Sequence, residues 1–186
     1  MCIDETYKGV DFSVQKMKGT EYDGCVFDTC IFSSHNFSNI SFLDCTFENC
    51  NFTQVVMKKI ALKEVIFQNC KLVGVDFSEV DDLLFSVIFK NSTLEYSTFV
   101  YRKLRHTVFD NCNLTEADFS NADLTSSVFK KSNLENAVFS ETVLDKVDFR
   151  EAYNYQVNPQ NNSLKKAIFS NQNLQGLLYP YDLIIE

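Results

Sequence analysis

Large apolar side chains recur at every fifth position of this chain. They run Tyr7, Phe12, Met17, Tyr22, Phe27, Phe32, Phe37, Phe42, Phe47, Phe52, Met57, Leu62, Phe67, Leu72 and Phe77. The count slips by two residues within SEVDDL, residues 78–83, and resumes at Leu84, Phe89, Leu94, Phe99, Leu104, Phe109, Leu114, Phe119, Leu124, Phe129, Leu134, Phe139, Leu144 and Phe149. After a break at NYQVNPQNN, the residues Leu164, Phe169, Leu174 and Tyr179 fall on the same count. A period of five is neither the 3.6 of a helix nor the two of a strand. It suits a chain that turns a corner every five residues.

Four such corners make a square coil of about twenty residues, and stacked coils would pair as parallel strands ~4.8 Å apart. Every fourth central residue should then share a column. One column reads Tyr7, Phe27, Phe47, Phe67, Phe89, Phe109, Phe129, Phe149, Phe169, aromatic on both sides of the slip. Another reads Tyr22, Phe42, Leu62, Leu84, Leu104, Leu124, Leu144, Leu164. Columns of like residues predict a filled interior, and their continuity makes the slip a local bulge.

Composition agrees with repetition. There are 18 Phe and no Trp, but only 5 Gly and 2 Pro to turn the chain. The turns must be built another way. The formal charge of -8 argues against direct binding of DNA or RNA, which calls for a basic surface. No signal-peptide pattern opens the chain and no run reaches the ~18 apolar residues of a membrane span, so a reducing cytoplasm is expected. Seven cysteines, an odd number, fit a disulfide framework poorly. Cys30, Cys50 and Cys70 are spaced by twenty, as the coil requires, without the short paired spacing of zinc motifs. No Ser, His and carboxylate set shows motif context and no glycine-rich phosphate loop is present. The expectation is a protein that is not an enzyme and needs no cofactor.

The stretch CNLTEADFSNADLTSSVFKKSNLENAVFS, residues 112–140, resembles the pentapeptide repeat family, with clean units ADFSN, ADLTS, SNLEN and AVFSE. The resemblance covers about residues 5–179. It implies an all-β fold, a right-handed quadrilateral parallel β-helix with a short C-terminal capping and dimerisation segment. It also implies that the central residue and the residue two before it point inward. Cys25, Cys30, Cys45, Cys50, Cys70 and Cys112 hold that second position, alongside Ala117, Ala122, Ser127, Ser132, Ala137 and Val147. Cysteine is then a small wall residue. His35 shares the position, whereas His106 projects outward.

The remaining three positions of each unit face solvent. Asn49, Asn69, Asn91 and Asn111 form one column that can hydrogen-bond along the rod. Acids are spread around the rod, with Glu95, Glu116 and Glu135 on one face, while Lys58, Lys59, Lys63, Arg102, Lys103 and Arg105 dilute the charge in the middle. Leu83, Phe85, Tyr96, Val100 and Tyr101 place large apolar groups near the slip, either as a contact site or covered by the bulge. The candidate partner-binding surface is Glu79, Asp81, Asp82, Phe85, Glu95, Tyr96, Tyr101, Glu116 and Glu135.

The chain divides into repeats over 1–153 and an irregular last coil with cap over 154–186. Leu174, Leu177, Leu178, Tyr179, Leu183, Ile184 and Ile185 would supply the cap, with a short helix before Pro180, and a two-fold dimer interface. This end is similar to the C-termini of quinolone-resistance pentapeptide proteins of the Qnr and MfpA type. That resemblance implies homodimers that mimic duplex DNA and bind DNA gyrase and topoisomerase IV. This chain has the two-residue slip where the Qnr branch has longer loops, so in outline it is closer to the loopless members. The rod would be roughly 40 Å long and an end-to-end dimer roughly 80 Å. The competing reading is a β-helical scaffold that binds another protein through the patch around Phe85, Tyr96 and Tyr101.

Overall fold

The computed structural model describes residues 1–81, 85–181 and 183. The chain winds as a right-handed, four-sided parallel β-helix. On the first face the strands Thr6–Lys8, Val26–Asp28, Thr46–Glu48, Val65–Gln68, Val87–Lys90, Val108–Asp110 and Val128–Lys130 form one parallel sheet. Bridges Val128↔Asp148 and Asp148↔Ile168 continue it. The second face follows the register Asn51↔Lys71↔Thr93↔Asn113↔Asn133↔Tyr153, and the third follows Asp76↔Thr98↔Asp118↔Val138. The fourth begins as the sheet Cys2–Ile3, Glu21–Asp23, Ser41–Leu43, Ala61–Lys63 and continues as Lys103↔Asp123↔Val143↔Ser163.

The aromatic column is continuous. Successive rings from Tyr7 through Phe169 stack with centroids 4.8 to 5.3 Å apart. Rings on neighbouring faces meet edge to face, as Phe109 does with Phe99 and Phe119. Such pairs add ~0.5–1.5 kcal/mol each beyond the burial itself.

Five requirements explain the five-residue unit. The central residue fills the core. The residue two before it sits in the wall, where a small donor bonds carbonyls of its own coil and the preceding one. Cys50 donates to the Phe27 and Glu48 carbonyls, both at 3.2 Å, and Ser132 does the same to Phe109 and Lys130 at 3.0 and 3.1 Å. The residue before the centre is often Asp or Asn, whose side chain accepts the N–H two residues on. Asp118 does so from Ser120 and Asn51 from Thr53. The residue after the centre is Ser or Thr in units such as 117–121 and 122–126. The last residue adopts a left-handed backbone, from Thr29 (φ 56) to Lys166 (φ 59). These positive-φ corners turn the chain where glycine is scarce. Asparagine tolerates that conformation best among non-glycine residues, which adds a backbone reason for the asparagine column. The side-chain bonds within it are Asn69 to Asn49 (3.3 Å) and Asn111 to Asn91 (2.9 Å).

The slip is a local bulge. Pairing runs twenty residues apart before it and twenty-two across it, as in Lys71↔Thr93. The register holds through Asp81, whose N–H donates to Ile60, and is regained by Ser86, whose carbonyl accepts the Val65 N–H. The extra residues therefore fall after Asp81, later than the start of the 78–83 stretch. The repeats also end earlier than the count of five suggested. Phe169 stacks on Phe149 at 5.1 Å, but Leu174 and Tyr179 are exposed. The chain instead turns through a helix, Gln175–Leu178, and a 3-10 turn, Tyr179–Tyr181. Gly176 presses on the coil below, where an added Cβ would lie 2.2 Å from the Tyr155 carbonyl oxygen, and its own carbonyl accepts the Val157 N–H at 2.9 Å.

Candidate protein-interaction surface

All seven cysteines are free and buried. Burial pushes the Cys45 and Cys112 thiols up to about 12, far from the thiolate state that nucleophiles and metal ligands need. His35 is a half-buried wall histidine, its Nδ1 3.0 Å from the Phe12 carbonyl oxygen and its ring against Phe32 and Phe37. His106 is exposed at a left-handed corner.

The outer faces differ in charge. Beyond the bulge, register assigns Lys90, Lys103, Arg105, Lys130, Lys131, Lys146, Arg150, Lys165 and Lys166 to the fourth and first faces. Acids there are interspersed and several are paired: Arg105 with Asp123 at 2.6 Å, Arg150 with Asp148 at 2.7 Å and Lys130 with Asp110 at 3.2 Å. The Arg150 guanidinium beside Asp148 holds its carboxyl below the usual carboxylate range. The second and third faces over the same coils carry Glu95, Glu116, Asp118, Glu135 and Glu141 and no base. The surface is therefore polarised around the rod, where sequence reading expected acids spread around it and bases diluting them.

Arg102 is a further correction. It was expected outward, yet it is buried, 7% exposed, at a wall position. Its guanidinium donates to the Val80 carbonyl at the edge of the bulge. A long donor stands there at a site where the regular wall takes a small residue.

The expected partner surface is brought together in part. Glu95, Tyr96, Glu116 and Glu135 occupy successive coils of the second face, with the Tyr96 N–H donating to Thr115 and the Glu116 N–H to Glu135. The Glu95 carboxylate accepts from Asn113 Nδ2 at 2.6 Å. Tyr96 and Tyr101 are 58% and 69% exposed, both at left-handed corners (φ 58 and 60) that bulky residues seldom adopt. Glu79 is exposed on the third face and pairs with Lys58 at 3.3 Å, and Asp81 is exposed. Phe85 is half-buried instead, its ring 6.5 Å from Phe77, because the extra chain length lets it fold back onto the core. Asp82 and Leu83 lie outside the described residues. Sequence reading missed Asp118 and Glu141 as members of the acidic faces, although following the register of each outward position would have found them.

At the C-terminal end Leu174, Leu178, Tyr179, Tyr181 and Leu183 are exposed, whereas Leu177 turns against the core. Ile184 and Ile185 lie outside the described residues. Tyr179 borders two surface hollows on the flank of the rod, of about 500 and 360 Å³. Among the described residues no helix is long and apolar enough to cross a membrane.

The chain matches the family model described as pentapeptide repeat region over residues 20–99 and 102–178. A search of curated proteins finds no match. Among solved structures, it is similar to a trypsin-treated variant of QnrB1, a plasmid-mediated fluoroquinolone resistance protein. The identity is 16% and the TM-score 0.51, with 99% of this chain and 98% of that one covered. It is also similar to HetL, a pentapeptide repeat protein involved in heterocyst differentiation regulation from the cyanobacterium Nostoc, at 15% identity and TM-score 0.31, covering 99% and 92%.

Proposed function

Because this chain belongs to the pentapeptide repeat family, a filled rod whose recognition chemistry lies on its outer faces, we propose that it is a DNA-mimicking binding protein of the cytoplasm. Its partner is DNA gyrase or topoisomerase IV, which it modulates, and its effect extends to protection from fluoroquinolones or a topoisomerase-poisoning toxin. The observation that carries this reading is the pair of faces beyond the bulge whose outward charges are all acidic. Acids set on coils ~4.8 Å apart present regularly spaced negative charge to a basic surface shaped for duplex DNA, which steers and orients encounter. The likeness of the C-terminal segment to the Qnr and MfpA type adds support. So do the exposed Leu174, Leu178 and Leu183, which suit a two-fold joint that doubles the rod to roughly 80 Å. A second reading, a scaffold for a different protein, is favoured by the exposed Tyr96 and Tyr101.

A supercoiling assay with purified bacterial gyrase, with and without a fluoroquinolone, separates these readings. Rescue of supercoiling under drug, or inhibition without drug, is the expected result. Reversing Glu116 and Glu141 to Lys should weaken either effect by at least about tenfold, as should raising the salt. No effect with gyrase and topoisomerase IV from a related host leaves the scaffold reading, in which Tyr96→Ser and Tyr101→Ser abolish partner capture.

A further inference from the structure

The larger hollow, of about 500 Å³, opens on the second face where the last coils meet the C-terminal cap. Its walls include Glu135, Tyr153, Asn154, Asn173, Gln175 and Tyr179, and no Lys, Arg or His lines it. Tyr153 and Tyr179 are 45% and 46% exposed. The amide nitrogens of Asn154 and Asn173 are already engaged, with Asn133 Oδ1 at 2.8 Å and the Ala152 carbonyl at 3.3 Å. Their oxygens are left as acceptors. The Glu135 carboxylate has no ion pair among the described residues, and Glu116 lies on the adjacent coil, its N–H donating to the Glu135 carbonyl. The hollow thus combines aromatic rings, spare acceptors and a negative charge at the end of an acidic corner.

We propose that this hollow receives an arginine side chain of the partner. A guanidinium is planar, carries five donors and stacks on aromatic rings, so it uses rings, amide oxygens and carboxylate together. An anion would meet Glu135 unfavourably. A lysine ammonium would gain charge attraction but little from planar stacking. The inference rests on the reading of the rod as a binder of a basic, DNA-holding surface, and it supplies that contact with an anchor at one defined point along the rod.

The test uses the full chain and two capped tripeptides, Gly-Arg-Gly and Gly-Lys-Gly, titrated by NMR. The arginine peptide should shift the signals of Tyr153, Asn154 and Gln175 and bind about tenfold more tightly than the lysine peptide. Tyr153→Ala and Glu135→Gln, both at exposed positions, should each weaken it at least several-fold while the melting temperature holds. Equal binding of the two peptides, no shift at the hollow, or tighter binding there of a neutral oligosaccharide overturns the inference. The same variants enter the supercoiling assay. Arginine capture without any action on gyrase or topoisomerase IV leaves the inference standing and removes only the topoisomerase reading. Undiminished action by both variants overturns the inference alone.

Discussion

At the scale of the residue, the wall position shows how chemistry follows from place. In one wall column Cys30, Cys50, Cys70, Ser92, Cys112 and Ser132 succeed one another, and the Cys112 N–H donates to Ser132 Oγ at 3.0 Å. Thiol and hydroxyl serve as interchangeable small donors. They differ in titration. An unfolded thiol loses its proton near ~8.5, but burial holds Cys45 and Cys112 to about 12. A raised folded-state value contributes stability that is complete below the unfolded value and is lost as pH climbs toward the folded one. In reducing buffer the melting temperature should therefore hold from pH 7 to about 8 and fall between about 9 and 11. Cys112→Ser combined with Cys45→Ser should make that alkaline decline shallower while changing neutral-pH stability by less than about 1 kcal/mol. An unchanged decline would mean that these thiols do not report on folding.

At the scale of the element, the C-terminal helix is too short to stand alone and holds by fit. Gly176 is its one buried residue, with room for no Cβ against Tyr155. Gly176→Ala should lift the cap from the last coil and cost about 2 kcal/mol or more, the scale of an overpacked contact. Hydrogen exchange should show it first at the Val157 N–H, which donates to the Gly176 carbonyl, while the central coils stay protected. The bulge is the opposite case. Two added residues would break a helix register, yet here the coils on either side remain aligned because each face pairs independently. Beside it Arg102 donates to the Val80 carbonyl and the Phe85 ring lies 6.5 Å from Phe77.

At the scale of the whole molecule, repetition separates stability from recognition. Every coil buries its central residues on its neighbours, so the outward positions are free to vary, and their variation has sorted charge onto opposite sides beyond the bulge. The capped C-terminal end is the other whole-molecule feature. If exposed Leu178 forms the joint between two rods, Leu178→Glu should convert a dimer to a monomer in sedimentation and leave the melting of the rod nearly unchanged. A wild-type chain that sediments as a monomer at tens of micromolar would remove the doubled rod from the proposed mode of binding.

The rod was legible in the chain's own spacing. Its central residues touch only equivalents one coil away, so a period of five and columns of like residues encode the fold locally, and the aromatic column from Tyr7 to Phe169 could be written down before any coordinates. The role of cysteine and the position of His35 were what the family resemblance implied. Tertiary structure alone decided the places where the period fails or where separate coils meet. The sequence placed Arg102 outside and left Phe85 either in a contact patch or covered by the bulge, because the surroundings of the bulge are not periodic. The left-handed corners were hidden because Tyr96 and Tyr101 are not residues that announce a positive φ. The hollow beside Tyr153 was hidden because its walls come from coils and cap that are far apart in the chain. A repeating contact can be read from spacing, but a contact made once depends on how much room its neighbours leave.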